Sequence, residues 1–154
     1  MSPAPHWKPQ KPTSLAGYLE ALSRPVFSTG MSWRVIQAKW DGIREAFLRF
    51  DPEKVAALTP ADVDRLADDP RVIRNRKKIE AVIGNAERML ALDSEHHGFG
   101  RYLETLGSTD EAVDSLRREF RFLGESGAYV FLWSVDEPVP PHEEWLAAHG
   151  KRFA

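Results

Sequence analysis

The sequence predicts an all-α domain on three observations. Apolar residues recur at helical spacing, helix-start signals punctuate the chain at short intervals, and no strand-like alternation lasts more than a few residues. Ordered structure is expected to begin near Leu15, because residues 1–14 are dominated by Pro and Lys and carry no periodicity to bury; they read as a flexible leader before a single helical domain over 15–154. From Trp33 to Phe50 the positions Ile36, Trp40, Ile43, Phe47 and Phe50 step by four, three, four and three, which places them on one stripe of a long helix. Asp51-Pro52 and Thr59-Pro60 are cap-plus-proline starts, opening short helices with Val55 and Leu58, then Val63 and Leu66, facing inward. Asp69-Pro70 stops the second of them. From about Asn75 to Leu92 the residues Ile79, Val82, Ile83, Ala86 and Leu90 share one side of a helix of four to five turns. Ser108 with Glu111 is a capping box ahead of Val113, Leu116 and Phe120. Gly124 and Gly127 break the next apolar stretch, Ala128–Val135 resumes as a buried helix, and Pro141–His149 closes the chain amphipathically.

Composition bounds the function. With 154 residues, 42% of them hydrophobic and 29% charged, the chain can bury a core and is not a disordered tail. No apolar run approaches the roughly 20 residues of a membrane span, and residues 1–12 lack the apolar stretch of a secretory signal, so a cytoplasmic protein without membrane contact is expected. Zero Cys excludes disulfides, thiolate nucleophiles and sulfur-ligated zinc, and the adjacent His96 and His97 point in different directions, so neither metal nor cofactor is expected. A net charge of −2 confines any nucleic-acid binding to a local basic face.

Two such faces exist. Arg71–Lys78 (RVIRNRKK) holds five cations and no carboxylate at a helix entry, where Arg74, Arg76, Lys77 and Lys78 suit phosphate; the alternative is a solvated face balancing the acidic stretch Asp62–Asp69. Arg117, Arg118 and Arg121 precede the glycine-broken segment Phe122–Gly127, which reads either as a hairpin offering backbone N–H groups to phosphate or as an ordinary helix–helix turn. Trp33 follows the loop-like run Ser28–Ser32, at the entrance of the long helix. There it either stacks on a planar, cationic base or packs in the core. Asp136, Glu137, Glu143 and Glu144 are the carboxylates downstream of the hairpin available for glycosidic-bond chemistry, and spacing does not choose among them.

These residues also carry a resemblance. Gly30-Met31-Ser32-Trp33, then Phe47-x-x-Phe50-Asp51-Pro52-x-Lys54-Val55-Ala56, Asp62-Val63-x-Arg65-Leu66, and Ile73-Arg74-Asn75-Arg76-x-Lys78-Ile79-x-Ala81-x-Ile83-Gly84-Asn85-Ala86 resemble the DNA-3-methyladenine glycosylase I family in order and spacing over about residues 18–92. A weaker likeness continues through Phe120-x-Phe122-x-Gly124 and Tyr129-x-Phe131. The implied fold is the helix-hairpin-helix DNA glycosylase-like helical domain. The implied activity is base-excision repair: hydrolysis of the N-glycosidic bond of an alkylated purine such as 3-methyladenine, in double-stranded DNA, by a monomer.

Carried over residue by residue, the resemblance places Trp33, with Ser32 and Gly30, at the base pocket and sets Gly124 and Arg121 where the hairpin meets DNA. The wider superfamily has an acidic residue about 20 positions beyond the hairpin glycine, which by count is Glu144, with Glu143 beside it and Asp136 upstream. Two departures stand out. The glutamate that family members carry five residues before the glycine of G-x-S-W is Pro25 here, and a proline side chain accepts no hydrogen bond. The Cys ligands of the family's structural zinc are missing. A non-catalytic DNA-binding relative is therefore the competing expectation, and a helical interaction module a third. Metal independence is testable: chelation should leave the melting temperature unchanged, whereas a drop of several degrees or stoichiometric zinc would contradict it.

Overall fold

The computed structural model describes residues 7–153, with side chains through His149. Among them lie nine α-helices and no strand: α1 (Leu15–Ser28), α2 (Trp33–Ala46), α3 (Pro52–Ala56), α4 (Pro60–Ala67), α5 (Arg76–His96), α6 (Phe99–Glu104), α7 (Thr109–Glu119), α8 (Glu125–Ser134) and α9 (His142–Phe153). The all-α expectation is met. None of the described helices is long and apolar enough to cross a membrane.

Local chemistry sets most boundaries. Ser14, Ser32, Asn75 and Ser108 each accept a backbone N–H at the start of α1, α2, α5 and α7. Thr59 and Asp62 close a reciprocal capping box with Pro60 in the first turn of α4. Each cap satisfies donors that a helix leaves unpaired, so these starts are readable from a few residues.

The stripe Ile36–Phe50 is buried as expected, but the helix carrying it stops at Ala46. Leu48, Arg49 and Phe50 then take φ values of 58°, 57° and 58°, a short left-handed turn that costs conformational energy in non-glycine residues. Aromatic stacking offsets it: Phe50 lies 5.8 Å from Phe47 and 5.5 Å from Trp40, nearly parallel to both. The turn thus brings Phe50 back under α2 and leaves Asp51 free to cap α3.

The 21-residue α5 is the central element, packed by α1, α3, α4 and α6. Its Ile79, Val82, Ala86 and Met89 are fully enclosed. The sequence reading passed over α6, whose Phe99, Tyr102 and Leu103 are buried against α5. His97, at φ 56°, ends α5, and six residues are too few to display a period.

Of the expected leader, residues 7–14 make long-range contacts and residues 1–6 lie outside the described residues. Trp7 donates its indole N–H to Ser134 Oγ at 3.0 Å, Gln10 N donates to Ser134 O at 3.0 Å, and Lys11 pairs with Glu137 at 3.3 Å. The segment is a strap across the end of α8, held by hydrogen bonds that its own composition does not announce.

Burial pushes the phenols of Tyr102 and Tyr129 up to about 12, and raises Tyr18 too. An unfolded phenol releases its proton near 10, so stability should fall as pH rises from about 10 to 12. Ultraviolet titration should show these tyrosines ionising late, together with loss of helix; ionisation near 10 in the folded protein would contradict the packing.

Candidate active site

The end of α1 is the first wall to be built. A helix leaves its last carbonyls without partners, and Pro25 removes a further backbone donor from this one. Ser28 Oγ and Thr29 Oγ1 both donate to Pro25 O, and Met31 N donates to Ser28 O. The ammonium of Lys78, on α5, donates to Phe27 O at 2.9 Å and Thr29 O at 2.6 Å. A cation at a helix C-terminus is doubly favourable there, through hydrogen bonds and the helix dipole. Lys78 is only 4% exposed, and burial pulls its pKa below the ordinary lysine value. The expected phosphate contact at Lys78 is therefore corrected: its charge is spent inside the protein, pinning the loop that leads to Trp33.

The hairpin between α7 and α8 forms the second wall. Asn85, two turns beyond Lys78 on α5, accepts Arg121 N at 2.7 Å and donates to Arg121 O at 3.1 Å. This paired amide contact fixes the backbone just before Phe122, Leu123 and Gly124. Gly84 leaves room for the Arg121 guanidinium: a Cβ there would sit 3.1 Å from Nη1. Arg121 and Arg76 consequently border one cleft of about 280 Å³, together with Glu80 and Glu87. Gly124 caps α8 and faces open space, so a ligand can approach its backbone closely.

A larger cleft, of about 440 Å³, opens between the 7–14 strap and α1, bordered by Trp7, Glu20, Ala21, Arg24 and Ser134. Arg24 lies with its guanidinium carbon 4.8 Å from the Trp7 ring and 4.6 Å from the Trp40 ring. Glu20 accepts the Trp40 indole N–H at 2.8 Å and faces Arg24 at 3.4 Å and Arg44 at 3.6 Å. Desolvation pulls the Arg24 pKa down, against the pull of Glu20. The cleft therefore combines the Trp7 indole with one carboxylate held in place by the Trp40 indole N–H.

Trp33 is 6% exposed and does not border this cleft; Trp7 stands edge-on to it at 5.1 Å and supplies the accessible indole instead. Gly30, at φ 78°, makes the turn, and Ser32 caps α2 through Val35 N, so both act on the backbone and neither borders the cleft. Asp136, Glu143 and Glu144 are exposed and also stand outside it, which leaves Glu20 as its carboxylate. Arg74 and Lys77 are exposed, and Arg76 is paired with Asp64.

Comparison with known proteins bears on the family and the fold. The family model for methyladenine glycosylase matches residues 11–121. The chain belongs to the methyladenine glycosylase family. DNA-3-methyladenine glycosylase of Haemophilus influenzae is 30% identical, the match covering 69% of each chain, and DNA-3-methyladenine glycosylase 1 of Escherichia coli is 32% identical over 67% of this chain and 66% of that one. Among solved structures, a variant of 3-methyladenine DNA glycosylase I in complex with 3-methyladenine superposes with a TM-score of 0.74 at 27% identity, covering 84% of this chain and 81% of that one. The Staphylococcus aureus enzyme gives 0.74 at 26%, covering 89% of both chains.

Within the family, the Pro25 departure has a structural counterpart. A Cβ on Gly127 of α8 would meet Pro25 Cβ at 3.2 Å, so proline fills the α1–α8 contact where the resemblance implies a glutamate. Trp7 and Arg24 escaped the sequence reading, Trp7 because its partners are far away in the chain and Arg24 because one arginine on a helix carries no signal. The pinning role of Lys78 is testable by urea denaturation. Lys78→Met should cost about 3 kcal/mol, since two carbonyls lose a charged donor, while Arg74→Gln and Lys77→Gln should stay within about 0.5 kcal/mol. Equal effects would contradict the assignment.

Proposed function

We propose that this chain is a base-excision DNA glycosylase that hydrolyses the N-glycosidic bond of an alkylated purine, 3-methyladenine being the model lesion, in double-stranded DNA. The observation that carries the proposal is the aromatic-and-carboxylate cleft of Trp7 and Glu20 inside a fold matching a glycosylase structure that holds 3-methyladenine. The reaction asks little of the protein. Alkylation leaves positive charge on the purine, so the base departs as a neutral molecule once the glycosidic bond breaks, and water attacks the sugar carbon. The flipped base needs a π-face to replace lost stacking, which Trp7 supplies. Glu20 supplies negative charge for the cationic base and the oxocarbenium-like sugar.

DNA contact is assigned to Arg74, Arg76, Lys77, Arg121 and the Gly124 backbone; Arg76 and Arg121 border one cleft, and Gly124 opens on solvent. The protein is taken to act as a cytoplasmic monomer. Incubation with methylated DNA should release alkylated purine bases, and Glu20→Gln should slow release by about 10²-fold. Arg74→Gln and Lys77→Gln should weaken duplex binding evenly across sequences and lower the salt slope by about 1 each. Duplex binding without base release would favour the non-catalytic relative, a reading that Pro25 in place of the family's glutamate supports.

A further inference from the structure

The environment of Arg24 is unusual for a helix-surface arginine. An i,i+4 partner such as Glu20 is common on any helix, but here the guanidinium also lies against two indoles contributed by separate segments, Trp7 from the strap and Trp40 from α2. Its side chain is 17% exposed and Glu20 is 20% exposed, so the pair is largely withdrawn from water. Glu20 does not depend on Arg24 for its position, because the Trp40 N–H binds the same carboxylate oxygen. Two indole faces and an independently anchored carboxylate form a cage whose chemistry selects a flat positive group. A delocalised cation satisfies the ring quadrupoles and the carboxylate at once; a neutral group satisfies only the rings.

We propose that Trp7, Trp40 and Glu20 form a seat for a planar organic cation, that Arg24 fills this seat as an internal ligand, and that Arg24 thereby sets the specificity of the cleft. The seat adjoins the 440 Å³ cleft, and Arg24 stands at the boundary between them. An incoming cation has to exchange with Arg24 rather than join it. Lys8 and Lys11 border the cleft, Lys11 paired with Glu137, while Arg44 and Asp41 act on the Glu20–Arg24 pair from outside it, so an added positive charge would face four cations against three carboxylates. Exchange leaves the local charge unchanged. The apparent affinity of any external cation is accordingly reduced by the fraction of time that Arg24 holds the seat. That the natural occupant is an alkylated purine rests on the glycosylase reading; the seat itself rests only on the geometry around Arg24.

The test uses the full chain with Arg24→Met, which keeps an unbranched stem over the indoles and removes the charge. Methylguanidinium and its neutral counterpart N-methylurea are titrated at millimolar concentration and constant ionic strength, with indole fluorescence and melting temperature as readouts. The variant should show a saturable fluorescence change and a rise in melting temperature with methylguanidinium. Binding should be about tenfold weaker for wild type and for N-methylurea, and Glu20→Gln in the variant should abolish it. Should Arg24→Met fail to fold, Arg24→Lys, whose ammonium is not planar, takes its place with the same expectation. A folded variant that does not saturate, or that responds equally to N-methylurea, overturns the seat. Base release from methylated DNA is measured in parallel and should rise roughly threefold or more in kcat/KM. Release by wild type with no rise in the variant overturns the specificity role. Saturable methylguanidinium binding with no release by either protein overturns the glycosylase reading and leaves the seat standing.

Discussion

Two buried polar side chains on one helix hold the functional face together. Lys78 and Asn85 lie seven residues apart on α5, two turns along the same side, and are 4% and 2% exposed. Burying a charge and an amide is unfavourable unless each finds partners. Lys78 finds carbonyls at the end of α1, and Asn85 finds both backbone groups of Arg121. Neither loop has a backbone ladder of its own at these points. The position of the Ser28–Ser32 loop, and with it the entry angle of α2 and the depth of Trp33, is set by one ammonium; the position of the hairpin is set by one carboxamide. An apolar substitute at either site would keep the core filled but leave backbone groups unpaired.

The cleft of Trp7 and Glu20 is built from other elements. α1 carries Glu20 and Arg24, α2 carries Trp40, and α8 ends at Ser134, which receives Trp7. The strap from Trp7 to Ser14 contributes no regular structure, yet Trp7 supplies the accessible indole because Ser134 holds its N–H and the steeply inclined Trp33 ring packs against it. The position where the resemblance implies a glutamate is Pro25 here, and the carboxylate that borders the cleft is Glu20, elsewhere on α1. The result is a cleft that places the Glu20 carboxylate, the Trp7 indole and the Arg24 guanidinium side by side.

What the sequence disclosed follows the range of the interactions. Caps and capping boxes act over three or four residues, so Thr59–Asp62, Asn75 and Ser108–Glu111 were legible and accurate. Helical periodicity located the burial of Phe47 and Phe50 while misplacing the end of α2, because a stripe reports which residues face inward and not the backbone that carries them there. Lys78 stands in a run of cations and looked like its neighbours; its partners lie 51 and 49 residues earlier. Trp7 is tied to Ser134 across 127 residues, out of reach of any local pattern. The long string from Ile73 to Ala86, quoted above for its resemblance, contains both anchors and the glycine that clears Arg121.

Hydrogen–deuterium exchange on Lys78→Met tests the anchoring most directly, because amide protection reports local opening segment by segment. Protection should fall in residues 26–35, where the ammonium holds the end of α1 and the start of α2, while α8 and the hairpin held by Asn85 keep theirs. Unchanged protection in 26–35, or an even loss throughout the chain, would contradict the claim that this one side chain positions the Ser28–Ser32 loop and the start of α2.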